Sequence, residues 1–333
     1  MTTRWAAALS VLSALAFASS IATAERIKIG AQKVAGGPLY IAAAKGYYAA
    51  EGLEPDYVFF EAGEPIAVAA ASGSIDFGVA GLTGGLYSLA GQGALRLIAG
   101  QTHEVPSFRA NTVAASNRAY EAGLKSVKDL AGHSVAITQI GSSFHYDLGL
   151  LADKYHFDLK SIRLMPLQTN PNAVAAAVGG SADAVVTVAG YVLPAIQRGD
   201  VKLLAFIGDE TPWQLTAAFT ATKTANEQRD KVERFLRALR KATRDYHDAF
   251  TGADGKRQDQ ASAPEILEIL AKYTGQSPDI LKLGLGYMDR EARLDVKDVL
   301  HQIAWYRAQG MLKGDFDAAS VMDKRYVVPL PEE

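Results

Sequence analysis

From residue 26 onward, short apolar runs alternate with longer amphipathic stretches. Arg26-Ile27-Lys28-Ile29-Gly30 has the two-residue period of a half-buried strand, and residues 38–50 read as a helix ending near Gly52, so a β-α unit opens the folded chain. The rhythm continues with a strand at 54–60, a helix at 64–72, a strand at 75–80, a helix at 84–91 and a strand at 94–99. Strands separated by helices must cross over to pair, which predicts parallel sheets with helices on both faces.

After residues 109–121 the alternation restarts. A strand at 133–138 follows Lys125 to Gly132, then a helix at 142–155, a strand at 162–166, a helix at 172–179, a strand at 184–187, a short helix from Tyr191 and a strand at 201–206. Residues 223–250, and the chain from Pro264 onward, read as helical, with a polar loop at 251–262 between them. Two α/β lobes and a helical tail result. Periodicity alone leaves open whether the lobes are joined once or crossed more than once.

The first residues break this pattern. Arg4 supplies a positive start, residues 5–21 are almost wholly apolar or small, and Ala22-Thr23-Ala24 matches the small-x-small exit of an export signal cut near Ala24. A membrane anchor is the alternative, but the run is shorter than the roughly 20 residues a span needs and contains serines. The chain has no cysteine, which removes disulfides, thiolate metal sites, a Cys nucleophile and a lipidated Cys. The formal charge of −2 and the lack of Lys/Arg blocks argue against a nucleic-acid partner.

Candidate chemistry gathers at three turns between a strand and a helix, where open α/β sheets hold ligands. The first carries Gln32, Gly36, Gly37, Pro38, Leu39 and Tyr40; the second carries Gly81, Leu82, Thr83, Gly84 and Gly85; the third carries Gly141, Ser142, Ser143, Phe144, His145 and Tyr146. In the third, Ser142 or Ser143 can cap a helix whose free N–H groups and positive dipole end favour an anion. An ordinary helix cap without a ligand is the plain alternative. Aromatic residues recur beside these turns (Tyr40, Phe144, Tyr146, Tyr191 and Trp213), which suits an apolar or planar ligand body. His145 can donate a hydrogen bond to an anion or simply lie at the surface.

Catalytic patterns are missing. The six histidines show no HExxH spacing, and there is no G-x-S-x-G elbow, no GxxxxGK[ST] loop and no GxGxxG fingerprint. No metal, cofactor or catalytic residue is expected, and the chain is not expected to be an enzyme.

The residues as a set resemble a known family. Ile27 to Gly30, Pro38-Leu39-Tyr40-Ile41-Ala42-Ala43-Ala44-Lys45-Gly46-Tyr47-Tyr48 with Glu51-Gly52-Leu53, Ala71 to Gly78, Ser126 to Ala136 and Ala173 to Ala184 are similar to the nitrate/sulfonate/taurine group of substrate-binding proteins of ABC importers and its thiamine-precursor-binding branch. The resemblance implies a periplasmic binding protein fold: two α/β lobes, a ligand cleft between them, and hinge crossovers near 109–115 and 206–220. It implies a signal at 1–24, a first lobe from 25–110, a second from 111–208, and a return of 209–333 to the first. Asn170 and Asn172 join the three turns as ligand contacts on the same ground. Enzymes of this family that make the thiamine pyrimidine depend on a cysteine-rich motif, absent here.

The expected function is a monomeric periplasmic receptor that carries a small organic anion, carboxylate or sulfonate, to an ABC permease and its ATPase. An exported enzyme or a ligand sensor for a signalling partner, using the same cleft, are the rivals.

Overall fold

The computed structural model describes residues 24–331 apart from Gly36, so the export segment lies outside the described residues but for Ala24. In chain order the strands are β1 (Glu25–Ala31), β2 (Leu53–Phe59), β3 (Phe77–Gly81), β4 (Leu95–Gly100), β5 (Thr102–Glu104), β6 (Asn111–Ser116), β7 (Ser134–Ile137), β8 (Arg163–Pro166), β9 (Ala184–Val188), β10 (Val201–Phe206), β11 (Trp213–Gln214), β12 (Thr216–Ala221) and β13 (Tyr287–Met288). They build two five-stranded sheets, β2-β1-β3-β12-β4 and β10-β6-β9-β7-β8, and a three-stranded sheet, β11-β5-β13. The chain passes from the first large sheet to the second between β4 and β6 and returns between β10 and β12; the small sheet forms at these passages.

The large sheets are mixed, which corrects the expectation of parallel pairing. β12 runs antiparallel to β3 and β4, and β6 antiparallel to β10 and β9. Both strands enter their sheet from the other lobe, not through a helix on the same sheet, so the right-handed crossover that enforces parallel pairing does not govern them.

Helices also depart from the periodic reading in three places. The helix read at 38–50 divides into Gly37–Ala44 and Tyr47–Ala50, because Gly46 takes a left-handed φ of 71° that ends a helical turn. The helix read at 223–250 divides at Gln228 into Thr222–Glu227 and Arg229–Phe250. Beyond Pro264 the tail is broken into Ala263–Thr274, Pro278–Leu283, β13 and Val296–Ala308, with Gly275, Gly284 and Gly286 at the breaks.

Helix Arg229–Phe250 shows why the tail stays on the first sheet. Val232, Phe235, Leu239, Ala242 and Tyr246 recur at three- and four-residue spacing and are buried, while Arg229–Glu233 and Arg234–Asp230 pair on the outer face. The Phe235 ring stacks on Phe77 of β3 with centroids 3.9 Å apart. Burying one such side chain contributes about 1.5–3 kcal/mol. Helix Val296–Ala308 reaches further. Gln302 accepts from the Tyr87 hydroxyl on the first lobe, while Trp305 packs on Tyr146 and His145 of the second-lobe helix Ser143–Tyr155. A Cβ on Gly149 would lie 2.3 Å from Trp305, so glycine is what lets the two helices approach.

Candidate ligand-binding cleft

A cleft of about 810 Å³, counting its open mouth, lies between the large sheets. The first lobe contributes Gln32 and Gly81 at strand ends, the passages contribute Thr102, Asn111, Leu215 and Thr216, and the second lobe contributes Ser143, Phe144, Val188 and Gly190. The tail closes one wall with Tyr246, Leu270, Thr274, Gln276 and the stretch from Ile280 to Met288. Among the described residues no charged side chain lines the cleft.

Its polar focus is the start of helix Ser143–Tyr155. Gly141 turns the chain with φ 82°, and Ser142 is the N-cap, its Oγ accepting the His145 N–H at 3.4 Å. The N–H groups of His145 and Tyr146 donate to the Ser142 carbonyl, which leaves those of Ser143 and Phe144 without a protein acceptor among the described residues. These are the two residues of the turn that line the cleft. The two serines therefore divide the work that either could have done: Ser142 caps, and Ser143 offers its hydroxyl to the cleft.

Of the residues expected at the site, Gln32, Gly37, Gly81, Ser143 and Phe144 meet at the cleft wall. Gly36 lies outside the described residues, and the rest lie around the cleft. Tyr40 is fully buried, donates to the Lys33 carbonyl at 2.7 Å and stacks on Tyr273; Pro38 and Leu39 are buried on the same helix. Thr83 caps helix Gly84–Gly91 through the Leu86 N–H, and Gly84 donates to the Gly141 carbonyl at 2.9 Å, joining two of the turns across the lobes. The Tyr306 hydroxyl lies between the Leu82 and Ser142 carbonyls, at 3.2 and 3.1 Å.

His145 and Tyr146 turn away from the cleft toward the tail. Nδ1 of His145 accepts the Gly141 N–H, and the Tyr146 hydroxyl bonds to His301. Burial pushes the His145 imidazole down to about 4, so it is neutral near pH 7 and acts as a local acceptor. Trp213 packs edge-on against Tyr146. Asn170 is buried, accepting from Thr187 and donating to the Glu61 carbonyl of the first lobe at 3.2 Å, while Asn172 donates to the Leu167 carbonyl. Tyr191 is half-buried on helix Ala189–Arg198 and does not line the cleft.

Asn111 stands at the floor, and sequence patterns gave no sign of it. Its backbone N–H donates to Glu104 Oε1 and its amide Nδ2 to Asp147 Oδ2, both at 2.7 Å. Both carboxyls have no solvent exposure. The tail residues were equally silent, because an apolar stripe on helix Ala263–Thr274 reads as core until its neighbours are known. Among the described residues no group of three or more His, Asp or Glu is placed to hold a metal ion, and no helix is long and apolar enough to cross a membrane.

Two lobes crossed twice, with a cleft between them and mixed five-stranded sheets, define a periplasmic binding protein fold. The alkanesulfonate-binding protein SsuA from Xanthomonas axonopodis pv. citri, solved bound to MOPS, superposes with a TM-score of 0.71 at 22% identity, covering 89% of this chain and 97% of its own. The aliphatic sulphonate-binding protein SsuA from Escherichia coli gives 0.67 at 19% identity over 93% and 94%. The nitrate-binding protein NrtA from Synechocystis PCC 6803 gives 0.67 at 15% identity over 89% and 84%. The model of the NMT1/THI5-like family matches residues 35–249, and the chain belongs to that family. The resemblance read from the residues thus holds for family and fold. No curated protein sequence matches the chain.

Proposed function

We propose that this protein is a solute-binding receptor for a small organic anion, a carboxylate or sulfonate with an apolar body, which it delivers unchanged to an ABC import permease and its ATPase. The observation that carries the reading is the start of helix Ser143–Tyr155, where two N–H groups with no acceptor among the described residues and the Ser143 hydroxyl meet a cleft whose walls are mostly apolar. Free N–H groups and the positive end of a helix dipole favour negative charge without a cationic side chain. The walls from Phe144, Leu215, Leu270 and Leu285 suit the body of such a ligand.

Family membership supports the reading, as do the sulfonate- and nitrate-binding proteins that share the fold. Residues 25–110 and 209–333 form one lobe in this proposal and 111–208 the other, closing about the two passages. Export to the periplasm, cleavage after Ala24 and a monomeric state belong to the same proposal.

Calorimetry against carboxylates, sulfonates and their uncharged analogues tests it. Binding of acids but not of their esters or of cations is expected; binding restricted to cations would overturn the anion assignment, and turnover of a bound acid would favour an exported enzyme. Mass spectrometry of the exported chain checks the cleavage point.

A further inference from the structure

Behind the floor of the cleft lie Glu104, which ends β5, and Asp147, one helical turn below Ser143. Both are wholly buried, and Asn111 bridges them. Each also keeps one oxygen, Oε2 and Oδ1, without a partner among the described residues. Nor do the described surroundings bring a positive charge. Glu104 lies against the backbone N–H groups of Ala110 and Gly208, and the Trp213 indole faces Asp147.

The titratable neighbours are equally unhelpful as counter-charges. His103, beside Glu104 on β5, is kept neutral by burial, and the phenols of Tyr146 and Tyr306 stay protonated. Asp298 on the tail helix is directed to Gln214 and Gln302, His301 to Tyr146, Asp209 to Ser107 and Glu210 to Lys154. Two carboxyls so placed cannot both ionise cheaply. Desolvation drives both upward, Asp147 to about 8, and the charge of Asp147 adds to the effect on Glu104.

Residues four apart on a helix lie about 6 Å from one another on the same face. An anion held at the Ser143 and Phe144 N–H groups therefore sits within about 10 Å of Asp147, across buried protein. At that range a second negative charge costs on the order of tenfold in affinity.

Resting on the receptor reading above, we propose that the cleft binds its anion together with a proton held by the Glu104–Asp147 pair, so that capture is tight while the pair is protonated and weakens as it ionises. The coupling is reciprocal: a bound anion holds the proton in place, and binding at a pH where the pair is partly ionised draws a proton from solvent.

Benzenesulfonate and methanesulfonate serve as probes because their own charge is constant from pH 5 to 9, with methyl phenyl sulfone as the uncharged control. Titration calorimetry in two buffers of different ionisation enthalpy gives the protons taken up per anion. The intact protein is expected to lose about tenfold in affinity between pH 6 and 9, with net proton uptake at the upper end and no pH dependence for any binding of the sulfone. Asp147→Asn, which removes the carboxyl raised to about 8, and the double variant that adds Glu104→Gln are each expected to flatten the profile and keep the tight affinity at pH 9. A sulfonate bound with a flat profile and no proton uptake overturns the linkage and leaves the receptor reading standing. An unchanged slope in both variants also overturns it. Failure of both sulfonates to bind at any pH counts against the anion reading itself, and the linkage falls with it. Should either variant fail to fold, the wild-type proton count decides alone.

Discussion

Tyr306→Phe isolates one hydroxyl that joins three parts of the fold. It comes from the tail helix, is fully buried, and lies between the carbonyl of Leu82 in a first-lobe turn and that of Ser142 in a second-lobe turn. The two acceptors are not equally dependent on it. The Ser142 carbonyl also receives the N–H groups of His145 and Tyr146, whereas Leu82 has no other donor among the described residues. Removing the hydroxyl therefore strands one buried carbonyl, at about 1–3 kcal/mol, while the phenyl ring keeps the packing against Tyr87, Tyr146 and Trp305 and leaves no cavity. Urea unfolding should show a lower midpoint with an unchanged slope, and the melting temperature should fall by about 2–4 °C for each kcal/mol lost. Burial raises the Tyr306 phenol well above its ordinary value, so the loss should be the same at pH 6 and pH 8. A variant as stable as the parent would refute the assignment of this hydroxyl as the pin between the turns.

Further tests follow from single contacts. Ser143→Ala should weaken binding of the probe acids at unchanged stability, while Ser142→Ala should cost about 1 kcal/mol of stability through the lost cap; the opposite pattern would reverse the roles given to the two serines. Gly100→Ala should abolish soluble folded protein, because its Cβ would lie 2.1 Å from the Arg293 carbonyl oxygen, a rigid backbone atom; a well-folded variant would show that the β4 edge can shift. Two opposed linkages should also act on stability, overlapping between pH 4 and 6.5 and leaving that of the carboxyls alone above it. His145, depressed to about 4, stays neutral in the fold while the unfolded chain takes up a proton below about 6.5, so its contribution is lost as pH falls from 6.5 to 4. The raised carboxyls keep protons that the unfolded chain releases above about 4, so their contribution is lost as pH rises toward 8, at about 1.4 kcal/mol per pH unit for each proton retained. Urea midpoints from pH 4 to 8 check both; Asp147→Asn should flatten the upper window, and an unchanged slope would count against the buried acid.

The strand and helix rhythm of the first hundred residues was legible because each element is bounded by glycine or a small-residue turn. The capped helix at Gly141-Ser142-Ser143 was legible too, but its faces were not. Successive residues turn by about 100°, so Ser143, Phe144 and Asp147 share one side while His145, Tyr146 and Gly149 share another. Which side meets the cleft depends on where Trp305 packs, about 160 residues away in the chain. β5, β11 and β13 span only two or three residues each, too few to show a period, yet β5 and β11 lie in the passages that set the floor of the cleft and β13 joins β5 from the tail.

That docking of the tail also predicts how the lobes part. On the side of helix Val296–Ala308 the contacts are many and buried: Trp305 against Gly149, Tyr146 bonded to His301, and Tyr306 between two carbonyls. On the other side the lobes meet through isolated hydrogen bonds, Asn170 to Glu61 and Gln276 to the Gly190 carbonyl. A single hydrogen bond contributes about 0.5–1.5 kcal/mol net, and separating an aromatic cluster costs several times more. Opening should therefore pivot on the tail helix and separate the Asn170 and Gln276 contacts first. Spin labels at the exposed Val68 and Val178, one on each lobe, should move apart when a bound probe acid is removed, while a pair at Leu300 and Asp153 should hold its distance. Equal movement of both pairs would show that the tail helix belongs to one lobe alone and is carried away from the other on opening.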